Sequence, residues 1–306
     1  MRKMLFAIIA ATALSLTGPA HADPDWKAVG AALGKDGLAQ PGGVYRVGLP
    51  RSDLKVVLDG VELKPTFALG SWLAFKGVGG SDAMVMGDLV LTDEEVNPVM
   101  KRLAEGRVAV TALHNHLLRS SPHTMYLHVH VHGHGDAVKL ATTLHDALGQ
   151  SQTPFSGPTT ASSQPPAPAA APDQPLALDT ARLDQVLGRK GKANAGVYQV
   201  SVPRSETPSD NGMEVPESMG SAIAINFQPT GTGKAAITGD FVLTADEVNP
   251  VLQALRANGI EVTAIHNHML QEEPRLFFMH FWANDDAEKL ARGLRAALDR
   301  VRTAKG

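Results

Sequence analysis

Gly87–Leu118 reads GDLVLTDEEVNPVMKRLAEGRVAVTALHNHLL, and Gly239–Leu270 reads GDFVLTADEVNPVLQALRANGIEVTAIHNHML. The two stretches align without a gap and are identical at more than half their positions. Chance does not produce such a match, so the chain carries a duplicated unit. Each stretch reads as a strand, a helix and a second strand. Thr92 with Glu95, and Thr244 with Glu247, have capping-box spacing, in which hydroxyl and carboxylate satisfy free amides of a first helical turn. Asn97-Pro98 and Asn249-Pro250 can also start a helix with proline at its first position. The helix is therefore expected either to begin twice or to kink there. Val99 and Leu103, like Val251 and Leu255, recur on one helical face.

The likeness extends outward. Gly43–Ser52 (GVYRVGLPRS) matches Gly196–Ser205 (GVYQVSVPRS). Between the copies, residues 150–175 are dominated by Pro, Ala, Ser and Thr, a composition that cannot bury enough surface to offset its ordering entropy. The expected organisation is a first unit over 23–149, a linker over 150–175 and a second unit over 176–306. Within a unit the patterns predict a short helix (Trp26–Leu33; Asp179–Leu187) and a strand (Val44–Leu49; Val197–Val202). A strand pair follows (Ser71–Phe75 with Ala83–Leu91; Ser221–Phe227 with Lys234–Leu243), then the capped helix. Two further strands (Val108–His116 and Thr124–His132; Ile260–His268 and Leu276–Trp282) precede a final amphipathic helix (Asp136–Leu148; Asp285–Val301). The fold class is α+β, with two tandem homologous units, each a small, mostly antiparallel sheet with helices packed on it.

Residues 1–22 read as a signal peptide. Arg2 and Lys3 precede an apolar run from Met4 to Leu16, and Ala20-His21-Ala22 supplies the small-x-small cleavage pattern. The apolar run is shorter than the about 20 residues a bilayer span needs. The chain is thus expected to be exported, to periplasm or exterior, with no membrane span after cleavage. It has no cysteine, which excludes a lipid-modified cysteine, disulfides, a thiol nucleophile and thiolate metal sites. A net charge of −3 argues against nucleic acid or an anionic membrane as partner.

The chemistry-bearing residues lie around the repeated His-Asn-His. Strand alternation puts His266 and His268 on one side, with Asn267 turned away. The next strand brings back His280, twelve residues after His268. The first copy repeats the frame with His114, His116 and His128. Two imidazoles two apart plus one from a neighbouring strand suit zinc, copper or iron. Gln271-Glu272-Glu273 follows the second His pair, and Glu272 is a candidate fourth ligand or general base on a metal-bound water. The first copy has Arg119-Ser120-Ser121 there, so it is read as a second or degenerate site. It gains His123, His130, His132 and His134, and alternation puts His128, His130 and His132 on one face, a pattern suited to a metal-scavenging surface. Structural histidines are the competing reading, since duplication copies a packing residue as faithfully as a ligand. Pro50-Arg51-Ser52 and Pro203-Arg204-Ser205 suggest an internal salt bridge, with Asp88 and Asp240 as candidate partners, or an anion site.

The string from Glu261 to Trp282, with Asp246–Pro250 before it, resembles the LppY/LpqO family of bacterial exported proteins, a duplicated domain of unknown function. The likeness covers both copies. It implies an exported protein and maps the family's histidines onto His266, His268 and His280, but it implies no established activity. Three functions are carried forward. The leading one is an exported metal-binding protein taking zinc or copper, its partner a metal ion or small envelope ligand. The others are a metal-dependent hydrolase using Glu272 and a module binding a peptide or glycan between the repeats.

Overall fold

Apolar alternation on both faces of the long central strands decides the architecture. The computed structural model describes residues 23–131, 135–155 and 176–304. Residues 1–22, read as a signal peptide, together with His132, His134 and most of the expected linker lie outside the described residues. The first repeat runs α1 (Trp26–Leu33), β1 (Leu38–Gln40), β2 (Val44–Pro50), β3 (Val57–Leu58), β4 (Val61–Glu62), α2 (Pro65–Ala68), β5 (Gly70–Gly79) and β6 (Asp82–Thr92). It continues with α3 (Asp93–Glu105), β7 (Ala109–His114), β8 (Thr124–Val131) and α4 (Ala137–Leu148). The second repeat runs α5 (Thr180–Leu187), β9 (Lys192–Asn194), β10 (Val197–Val202), β11 (Ser209–Asp210), β12 (Met213–Glu214), β13 (Ile223–Gly231) and β14 (Lys234–Leu243). It ends with α6 (Ala245–Ala257), β15 (Glu261–His266), β16 (Glu272–Glu273), β17 (Phe277–Asp286) and α7 (Ala287–Leu298).

Each repeat builds a six-stranded sheet, ordered β1-β2-β5-β6-β8-β7 and β9-β10-β13-β14-β17-β15. Neighbouring strands pair antiparallel throughout both sheets. This is the expected α+β class with two homologous units. In β6 the odd-numbered Ala83, Val85, Leu89 and Leu91 pack with Val29, Val99 and Leu144 of the helices. The even-numbered Met84 and Met86 join Val215, Met219 and Met269 of the second repeat. Leu58, Phe67 and Tyr126 pack with Val197, Ala236 and Trp282. The sheets therefore face each other, with helices on the outer faces, and the repeats share their apolar cores. Residues 150–155, read from composition as the start of the linker, belong to the first repeat. Thr153 is buried, and Phe155 packs against the helical core.

Both capping boxes form. Each capped helix is one continuous element with its proline inside, at Pro98 and Pro250. The box fixes the start at Thr92 or Thr244, and the proline removes one backbone donor in the second turn. The glutamates of the boxes also solve the Pro-Arg-Ser motif. Arg51 donates to Val90 O at 2.7 Å and to Glu95 at 2.7 Å and 3.1 Å, with Asp53 at 2.9 Å. Arg204 donates to Val242 O at 2.6 Å and to Glu247 at 2.7 Å. The internal salt bridge is present, and its partner is the capping glutamate rather than Asp88 or Asp240.

Gly87 and Gly239 precede those aspartates because the strands approach closely there. A Cβ on Gly239 would sit 2.0 Å from the Ala224 carbonyl oxygen and 2.9 Å from the Phe281 ring. Neither can retreat within a central strand. Gly239→Ala is expected to cost about 1–3 kcal/mol, read as a lowered denaturant midpoint with unchanged slope; an unchanged midpoint would refute the close packing of β13 on β14. Among the described residues no helix is long and apolar enough to cross a membrane.

Candidate metal centre

The facing of the sheets brings the six frame histidines of both repeats to one place. Tyr126, His128 and His130 lie on the inner face of β8, and Phe278, His280 and Trp282 on that of β17. β7 and β15 end at His114 and His266, so His116 and His268 lie just past the strand ends rather than within them as expected. They still turn inward. Thr263 Oγ1 donates to His116 O at 2.6 Å, and Asn115 Nδ2 donates to Thr263 O at 3.4 Å, tying the first repeat's tripeptide to β15. Asn267 Nδ2 donates to Leu276 O at 2.5 Å, closing the second tripeptide onto its own hairpin.

The arrangement has approximate two-fold symmetry. His114 and His266 meet across the axis with ring centroids 3.4 Å apart. His116 stacks on His280 at 3.6 Å, and its symmetry counterpart His268 stacks on His128 at 3.6 Å. His116 rests on Tyr126 and His268 on Phe278, each at 3.4 Å. In four groups each residue offers one ligand atom and these atoms lie within 4.8 Å of one another: His114, His116, His266 and His280; His114, His128 and His268; Asp88, His116 and His128; and Asp240, His268 and His280. Two imidazoles on one ion, with metal–nitrogen bonds of about 2.0–2.1 Å, lie at most about 4.2 Å apart. The groups therefore need only a small contraction to ligate. The expectation of one site per repeat is thus replaced by a single centre to which the first repeat contributes as much as the second.

Asp88 and Asp240 are members of the site that the sequence reading assigned elsewhere. The signal was present: a charged residue recurs mid-strand in the apolar runs GDLVL and GDFVL. Asp88 presents Oδ2 to His116 Nε2 at 3.8 Å and Oδ1 to His128 Nε2 at 3.5 Å. Asp240 Oδ1 stands 3.8 Å from His280 Nε2. His280 Nδ1 lies 2.9 Å from the Gly239 carbonyl, which it reaches as a donor, leaving Nε2 as the free acceptor toward the centre. That second hydrogen bond is how proteins orient a ligating imidazole. Buried atoms without a hydrogen-bond partner cluster here: Nε2 of His128, His266, His268 and His280, Nδ1 of His114, and Oδ1 of Asp88 and Asp240. Native interiors seldom leave such groups unsatisfied.

Glu272 stands in none of the four groups. Its Oε1 accepts from Leu276 N–H at 3.1 Å, and its Oε2 pairs with Arg275 at 3.2 Å. His123, half-exposed, pairs with Asp93 on the outer surface. His130 is buried and points inward at Asp210 of the second repeat, 3.0 Å away. The part of the histidine tract within the described residues is therefore interior rather than a metal-scavenging surface. The second repeat carries Trp282 where the first has His130, and Trp282 Nε1 donates to Asp59 at 3.0 Å.

Burial sets the charge state. Desolvation lowers all six histidines: His114 to about 2, with His266 adding repulsion, and His266 to about 4. His116, His128, His268 and His280 are held well below the usual imidazole range. Desolvation raises Asp88 to about 8 against the pull of Arg46, and raises Asp240 well above the carboxylate range. The imidazoles are thus neutral, the form that ligates. In metal-free protein the two sets of shifts act oppositely on stability. An unfolded chain protonates its histidines below about pH 6.5 while the native centre does not, so acidification favours unfolding. The native aspartates hold protons that the unfolded chain releases above about pH 4, so alkalinisation removes their contribution up to about pH 8. Six groups outweigh two. The melting temperature of chelator-treated protein is expected to peak near pH 6.5–7 and fall steeply toward pH 5; a flat profile over that interval would contradict it.

A double-sheet protein with a histidine-rich centre between two repeats is the class that this fold and site define. The family described as Domain of Unknown Function (DUF1259) matches residues 27–150 and again residues 181–300. The chain belongs to that family and carries its domain twice. Nothing matches among curated proteins. Among solved structures, EtuB from Clostridium kluyveri is 11% identical over 86% of this chain and 89% of that one, with a TM-score of 0.20. The trimeric bacterial microcompartment shell protein PduB gives 11%, 86%, 89% and 0.21. Scores this low carry no argument about fold or function.

Proposed function

We propose that this chain is an exported protein that holds a transition metal, zinc or copper, between its two repeats. The observation that carries the reading is the convergence of six neutral imidazoles from both repeats, five of which each leave one buried ring nitrogen without a hydrogen-bond partner. Neutral imidazole suits both metals. Export is supported by the signal-like pattern of residues 1–22 and by the likeness to LppY/LpqO proteins. The inter-repeat space holds packed side chains of both repeats, which favours an ion over a peptide or glycan as the occupant. Glu272 is engaged by Leu276 and Arg275 and belongs to none of the donor groups, so it does not stand where that hydrolytic role would need it.

The test is metal content of untagged protein, followed by stripping and add-back of zinc or copper. Stoichiometric metal and a raised melting temperature on add-back are expected, both lost in the His266→Ala and His268→Ala variants. Protein that binds neither metal and gains no stability from either would refute the reading.

A further inference from the structure

We infer that the centre is dinuclear, holding two divalent first-row transition ions bridged by Asp88 and Asp240. This rests on the metal-centre reading and extends it to nuclearity and to residues that reading did not assign. The donors sort into two symmetry-related halves. His116 and His280 face each other on one side, and His128 and His268 on the other. His114 and His266 sit between them at the axis. The group of His114, His116, His266 and His280 and the group of His114, His128 and His268 fall on the two sides of this division and share His114; with His266 added, the second is the two-fold mate of the first.

The aspartates span the halves instead of belonging to one. Asp88 groups with His116 and His128, one from each half, and turns a different oxygen to each. Asp240 groups with His268 and His280, again one from each half. A carboxylate offering its two oxygens to two ligand sets is placed as a bridge. Eight donors also exceed what one tetrahedral zinc uses, whereas two ions share them as three imidazoles and two carboxylate oxygens apiece. That count leaves room on each ion for water or a small ligand. Charge agrees in part: two buried carboxylates offset half of the charge of two dications.

The experiment is a cobalt(II) titration of the stripped full chain, followed by visible absorption and by metal analysis after gel filtration. Two equivalents per chain are expected. The paired variant His116→Gln with His280→Gln is expected to retain one equivalent, and so is His128→Gln with His268→Gln. Asp88→Asn with Asp240→Asn, which keeps shape, is expected to weaken the second equivalent at least tenfold. Saturation of the wild-type chain at one equivalent overturns the dinuclear assignment and leaves a mononuclear centre standing. Two equivalents that survive intact in either histidine pair variant overturn it as well, by placing the second ion elsewhere. No cobalt and no zinc bound overturns the metal reading itself. The wild-type stoichiometry decides the point even if a variant fails to fold.

Discussion

Glu247→Ala is expected to cost about 3–5 kcal/mol, the usual result of removing one partner from a buried ion pair. Arg204 is 1% exposed and Glu247 5%, so the guanidinium left behind keeps only the half-buried Glu206 as an acidic partner and has little water to turn to. The carboxylate does three jobs at once. It accepts from Thr244 N–H at 2.8 Å as the second half of the capping box, from Arg204 at 2.7 Å, and from Arg302 N–H at 2.9 Å. It thus pins the start of α6, the end of β10 and the C-terminal segment together. For a chain of this size each kcal/mol moves the melting temperature by about 2–4 °C, so a drop of roughly 6–20 °C is expected. Glu95→Ala should behave alike, because Glu95 joins Arg51, Thr92 N–H and Gln152 N–H in the same way. A loss below about 1 kcal/mol in both variants would show that the network is not needed to hold the helices on the sheets.

His116→Ala, in the first repeat, is expected to weaken metal binding as severely as His268→Ala in the second, by about 100-fold or more. Loss of a group that merely orients a ligand already costs 10–100-fold. The two residues are symmetry mates, each stacked at 3.6 Å on a histidine of the other repeat. Competition against a chromophoric chelator gives the two dissociation constants. Wild-type affinity in His116→Ala would mean that the second repeat binds alone and that the convergence of the repeats is incidental.

That expectation is not what the sequence by itself suggests. The duplication, the strand and helix order and both capping boxes were legible, because a doubled pattern reports local structure twice. The partner of Arg51 was missed because the Glu of a capping box already has a local role, and nothing local says it has a second. The His-x-His parity led to histidines that do converge, through a strand that in fact ends at the first histidine of each pair. Comparison of the turns, Glu272 against Ser120, made the first copy look degenerate, although the turns lie away from the donors. The informative comparison was the preserved Gly-Asp pair. β6 reads Ala-Met-Val-Met with both faces apolar, the pattern of a strand covered on both sides. Read with the mid-strand aspartates, it locates a second sheet against the first. What no single repeat reveals is which face meets the other copy. That choice depends on packing between segments far apart in the chain, and it turned two three-histidine frames into one centre.

The central question is where a metal ion binds. An anomalous-scattering map from crystals of the zinc-loaded full chain, collected on both sides of the metal edge, locates it directly. Density between His116 and His280 and between His128 and His268, with ligands drawn from both repeats, is the expected result. A peak confined to Glu272, or to surface histidines such as His123, with the six inner imidazoles unligated, would contradict it.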